Sequence, residues 1–166
     1  FPFGHGLSYT TFSYSDLKVD KEVLSDEETL TISLKIKNTG TMNGKEIIQV
    51  YVRDNTGTIV RPDKELKNFE KVYLHSGEEK TVSMILNKRS FAYYNETLQD
   101  WHAPSGTYEV LIGKSSQDIV LSKEVTVKTK VKLPITITEN TNVSDILSYE
   151  GIPELLEPIR KRYFDI

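Results

Sequence analysis

The chain contains no cysteine. Disulfides, thiolate metal sites and cysteine nucleophiles are thereby excluded. The absence fits a reducing compartment such as the cytoplasm without proving one, and secretion stays open as the alternative. Net charge is also scarce, −3 at pH 7 with a pI near 5.7. That is not the basic footprint of a nucleic-acid binder. No apolar run approaches the ~20 residues a membrane helix needs. His5, His75 and His102 are scattered, with no carboxylate at ligand spacing, so no metal is expected. Gly4-His-Gly6 begins like a phosphate loop, but Tyr9 stands where a third glycine would be needed and no strand precedes it. No cofactor follows from it. Nothing marks the two carboxylates, about 5–10 Å apart, that a glycosidase centre needs. No catalytic residue is expected in this chain.

What is present is strand patterning. Leu30, Ile32, Leu34 and Ile36 alternate with Thr31, Ser33, Lys35 and Lys37. A period of two puts one face in a core and the other in water. In 46–53, Ile48, Val50 and Val52 line one face, while Ile47, Gln49 and Tyr51 line the other. That suits the middle of a sheet. Pairing of these two segments, by hairpin or across a sandwich, would bury about seven apolar side chains, each contributing about 1.5–3 kcal/mol. The loop Asn38-Thr-Gly-Thr-Met-Asn-Gly44 between them is rich in residues that tolerate positive φ.

The remaining strands read in order. Residues 10–19 alternate Phe12 and Tyr14, then slip to Leu17 and Val19. Residues 25–28 form an acidic turn. Residues 54–57 turn the chain, and 59–62 are extended ahead of Pro62. Over 64–74, Leu66 and Phe69 break parity, which predicts a bulge near Asn68, a residue that accepts a left-handed backbone. Residues 81–86, 107–113 and 119–127 supply further strands, and 87–94 hold one helical turn. Seven to eight short strands with a turn every 8–12 residues predict an all-β fold. It is an antiparallel sandwich of the fibronectin type III or immunoglobulin kind over 9–128.

The two ends differ in character. Residues 1–8 form a lead-in segment, and with Tyr9 they carry three aromatics. We expect Phe1, Phe3, His5 and Tyr9 to pack on a preceding domain of a longer polypeptide. After Lys128 the pattern predicts a linker and two short helices over 129–166, ending in a stripe of Ile152, Leu155, Leu156, Ile159 and Tyr163. That stripe suits the sandwich flank, a partner domain or homo-oligomer contacts through 133–166.

One cluster invites a binding reading: Phe91, Tyr93, Tyr94, Trp101 and His102. Flat aromatic faces stack on sugar rings. Tyr93, Tyr94 and Trp101 are therefore candidate sugar-facing residues, set against a purely structural reading at one end of the sandwich. Asn95-Glu-Thr97 and Asn142-Val-Ser144 match the N-glycosylation pattern, which counts only in a secreted eukaryotic protein.

The run Phe1-Pro-Phe-Gly-His-Gly-Leu-Ser-Tyr-Thr-Thr-Phe12 resembles the segment leading into the fibronectin type III-like domain of glycoside hydrolase family 3 β-glucosidases. The likeness continues through Asn38-Thr-Gly40, Glu-Ile-Ile-Gln-Val-Tyr-Val-Arg-Asp54, Arg61-Pro62, Lys-Glu-Leu-Lys-Asn-Phe69 and Ser76-Gly-Glu78. It ends with Phe91, Trp101, Gly-Thr-Tyr-Glu-Val-Leu-Ile-Gly113 and Ser115-Ser116. Asn68 departs from the usual glycine and Ser76 from a frequent proline. The tail from Leu133 is similar, more loosely, to a helical extension of some bacterial members.

The resemblance implies a non-catalytic accessory domain of a retaining β-glucosidase, or of a β-xylosidase. Its partners would be the catalytic barrel and α/β sandwich domains of the same polypeptide, with β-glucoside substrate at a rim. It implies no catalytic residue here, because neither catalytic motif is in the chain. Two other readings remain: a carbohydrate-binding module and an assembly domain acting through the C-terminal helices.

Overall fold

A computed structural model describes residues 1–131 and 133. The linker and helices expected over 129–166 lie, apart from 129–131 and 133, outside the described residues. Among the described residues, ten strands and one helical turn follow in chain order: β1 Phe12–Val19, β2 Val23–Ser25, β3 Leu30–Asn38, β4 Gly44–Asp54, β5 Glu65–Leu74, β6 Glu79–Leu86, α1 Lys88–Phe91, β7 Tyr93–Asn95, β8 Asp100–His102, β9 Gly106–Gly113 and β10 Ile119–Lys128. They form a three-stranded sheet β1-β3-β6, a five-stranded sheet β2-β10-β9-β4-β5 and a small ribbon β7-β8. All pairs are antiparallel except β2 with β10. The two larger sheets make the β-sandwich that strand periodicity predicts.

The alternating strands supply the core. Leu30, Ile32, Leu34 and Ile36 of β3 are fully buried, as are Ile48 and Val50 of β4 and Tyr108, Val110 and Ile112 of β9. β3 and β4 share no hydrogen bonds. β3 pairs with β1 and β6, and β4 with β5 and β9. Of the two pairings left open by the sequence, theirs is the one across the sandwich.

Asn38 ends β3 and ties the sheets together. Its Nδ2 donates to the carbonyls of Met42 (2.8 Å) and Leu74 (3.2 Å), and its Oδ1 accepts from Thr10 Oγ1 (2.7 Å) and Gly40 N (3.1 Å). The side chain is fully buried with its capacity satisfied, as a buried amide requires. Residue 40 must be glycine, since a Cβ there would lie 2.1 Å from Thr10 Oγ1.

Both expected irregularities are present. β1 slips register between Ser15 and Lys18, with Asp16 at φ 54. On β5, Asn68 pairs with Val50 and Leu66 with Tyr51, leaving Lys67 as the extra residue. Asn68 itself is not left-handed; among the described non-glycine residues only Asp16 and Gln99 have positive φ. Its side chain instead accepts from Phe69 N (2.8 Å) and donates to Ile85 O on β6 (3.0 Å). It closes the edge between the two sheets. Periodicity gave no sign of β2 or of the β7–β8 ribbon, each only three residues per strand.

Candidate functional site

The first candidate is the N-terminal strap, Phe1–Tyr9, which carries no regular secondary structure yet is pinned to the sandwich. Ser116 N donates to Phe3 O (2.9 Å). Gln49 Nε2 donates to Gly4 O (2.9 Å) and to Lys114 O (2.8 Å), while Tyr51 OH donates to Gln49 Oε1 (2.6 Å). Gln49 is thus a clamp joining β4, the β9–β10 turn and the strap. Gly4 has φ +77, and a Cβ there would meet Gln49 Oε1 at 2.0 Å, so only glycine passes at this point.

Around that clamp the strap's large side chains point outward. Phe1, Leu7 and Tyr9 are fully exposed, and Phe3 is 66% exposed. His5 is exposed and stacks on Phe1 (centroids 5.5 Å, 21°). The four sequence-predicted interface residues Phe1, Phe3, His5 and Tyr9 therefore share one ordered surface segment. Leu7 joins them, a residue that aromatic counting missed.

Between the strap and β4 lies a hollow of about 310 Å³, lined by Gly4–Ser8, Lys45–Ile47 and Lys114 among others. Glu46, which lines it, accepts at Oε1 from Tyr14 OH (2.9 Å), a bond that joins the two sheets. Burial pushes the Glu46 carboxyl above its usual range, with the Tyr14 hydroxyl and the Lys114 cation pulling the other way. Burial and the Glu46 carboxylate together push the Tyr14 phenol far up. Lys114 Nζ donates to Phe12 O (3.2 Å) and sits 5.6 Å from the Tyr14 ring centre. These groups are spent on one another and on backbone.

The second candidate is the β7–β8 ribbon. Tyr93 pairs with His102 and Tyr94 with Trp101. Directly opposed residues share a face, so Tyr93 lies on the side away from Tyr94 and Trp101. Phe91 is buried edge-on to Tyr108 (5.4 Å, 78°). His102 is buried beside Tyr93 (5.8 Å, 88°). Burial lowers the His102 pKa, against an opposing pull from Asp26. Tyr94 is half exposed and meets Trp101 edge-on (6.1 Å, 77°). Trp101 packs on the core and carries the Arg89 guanidinium 4.3 Å from its ring centre. Asn95, of the first glycosylation pattern, donates to Tyr93 OH (3.1 Å) and accepts from Leu98 N (3.0 Å).

Comparison with known proteins gives a consistent picture. Residues 46–116 match the family described as fibronectin type III-like domain. The chain is 52% identical to thermostable β-glucosidase B of Acetivibrio thermocellus over 165 residues, 99% of this chain and 22% of that protein. A solved family 3 β-glucosidase of Bifidobacterium adolescentis is 33% identical with a TM-score of 0.80, over 94% of this chain and 23% of that one. A β-glucosidase variant of Listeria innocua, solved in complex with laminaribiose, is 42% identical with a TM-score of 0.68, over 77% of this chain and 17% of that one. The chain thus spans about a fifth of the length of the proteins it matches.

Proposed function

This chain belongs to the fibronectin type III-like domains carried by glycoside hydrolase family 3 β-glucosidases, and on that premise we propose that it is a non-catalytic brace within such an enzyme. The parent would hydrolyse terminal β-D-glucosyl residues with retention. The strap would seat its exposed side chains on the catalytic part of the same polypeptide. One observation carries this reading: Phe1, Phe3, Leu7 and Tyr9 stand in water on a backbone held by Gln49 and Ser116. A pinned backbone has already lost much of its conformational entropy, so docking costs little further ordering. Each aromatic then returns roughly 1.5–3 kcal/mol on burial.

The test uses both forms. The isolated chain should cleave no aryl β-glucoside, and turnover above the buffer rate would refute the reading. In the full-length polypeptide, Phe1→Ser/Phe3→Ser/Tyr9→Ser should shorten the half-life of β-glucosidase activity on heating. An unchanged half-life would remove the bracing role.

The half-exposed Tyr94 favours a second reading, a weak sugar contact at the ribbon. Titration of the isolated chain with glucose and cellobiose decides it. No chemical-shift change at Tyr94 or Trp101 at millimolar sugar would eliminate it.

A further inference from the structure

The loop between β4 and β5 carries two consecutive apolar residues in water. Val60 is 103% exposed and Ile59 37%. The stretch Thr56-Gly-Thr-Ile-Val60 has no charge.

The base of this loop is held hard. Asn55 N donates to Thr107 O (3.1 Å), and Thr56 N to Asp54 Oδ1 (2.8 Å). Thr56 sits against Gly106, where a Cβ would come within 2.9 Å of Thr56 Cγ2. On the far side Arg61 turns inward, with its side chain only 9% exposed. Its Nη1 donates to Asp54 Oδ2 (3.1 Å) and Phe91 O (2.9 Å), and its Nη2 to Glu65 Oε2 (3.1 Å) and Ala92 O (3.3 Å). A buried ion pair recovers little more than its desolvation penalty. What a forked guanidinium does supply is fixed direction.

We infer that the Ile59–Val60 tip, aimed by the Arg61 clasp, is a second docking point, seated on an uncharged apolar surface of the catalytic part of the same polypeptide. The inference rests on the bracing reading above and extends it. A partner within the same polypeptide is favoured because this chain is only 22% of a 52%-identical protein, and the loop lies inside the matched region 46–116. The strap is clamped at Gln49 and the loop springs from Asp54, five residues on, about 17 Å at roughly 3.3 Å per residue. One contact leaves a domain free to swing. Two contacts on one rigid strand resist rotation as well as separation.

The chain has no thiol of its own, so single cysteines report directly. Val60→Cys and Tyr9→Cys are placed one at a time in the isolated chain and in the full-length polypeptide. Alkylation is followed at the peptide level by mass spectrometry. Val60→Cys should react at least about tenfold more slowly in the full-length form, as a closed-off site does. Protection at Tyr9→Cys with none at Val60→Cys would overturn the second docking point and leave the bracing reading standing. Protection at neither would overturn both. Protection of Val60→Cys that arises only after adding an aryl β-glucoside would also overturn it, because the occupant would then be sugar. Both positions are exposed in the isolated chain, so neither variant threatens folding.

Discussion

The strap and the β7–β8 ribbon use the same kinds of side chain to opposite ends. Phe1, Phe3, His5 and Tyr9 stand outside on a backbone that the sandwich grips. His102 of the ribbon and Phe91, which ends α1 just before it, are swallowed by the core, and Trp101 packs on it under Arg89. Aromatic density alone therefore does not separate an exposed segment from a buried one. What separates them is where the backbone's polar groups are satisfied. The strap's Phe3 and Gly4 carbonyls are bonded to the sandwich while its rings are not covered. In the ribbon the rings themselves do the anchoring.

That contrast can be broken by substitution in the isolated chain. The largest effect belongs to Phe91→Ala, which should destabilise by about 3–5 kcal/mol, because a fully buried aromatic leaves a cavity. Denaturant unfolding measures it, and a cost below ~1 kcal/mol would show that the ribbon end is not part of the core. Next comes Gln49→Ala at roughly 1–3 kcal/mol, from the unpaired Gly4 and Lys114 carbonyls and the lost Tyr51 bond. It should also speed amide exchange at Ser116, whose N–H donates to Phe3 O, which Phe91→Ala should not.

A smaller effect sharpens the ribbon side. Burial holds the His102 pKa below that of the unfolded chain. The unfolded state then takes up the extra proton first, so stability is full above the ordinary histidine value of ~6.5 and is lost as pH falls below it. His102→Gln should flatten this acid-side slope in melts between about pH 7 and pH 5. An unchanged slope would mean that other groups set it.

Much of this architecture is written in the residue pattern. Period-two faces identify β3, β4, β6 and β9, because burial on one side leaves its mark on every second residue. The parity break between Leu66 and Phe69 located the bulge on β5. It did not show that Asn68 works through its side chain, since Ile85 is 17 residues away and only packing brings it near. β2 hides for a similar reason: Leu24 is its single core residue, and one buried position has no period. At the strap, aromatic density pointed to an interface, yet the grip came from Gln49, a polar residue in a strand with nothing local to mark it. Arg61 was visible as a motif, but its five acceptor atoms lie on Asp54, Glu65, Phe91 and Ala92, a convergence no linear reading displays.

The smallest effect expected in the isolated chain is also the most informative when set beside the same change in the full-length polypeptide. Phe1→Ser/Phe3→Ser/Tyr9→Ser removes three rings that touch water, so the isolated variant should be as stable as the unsubstituted isolated chain, within about 0.5 kcal/mol. In the full-length polypeptide the same triple variant should melt several degrees lower, or split one calorimetric transition into two. Equal melting in both contexts would contradict the account, as would a loss of stability confined to the isolated chain.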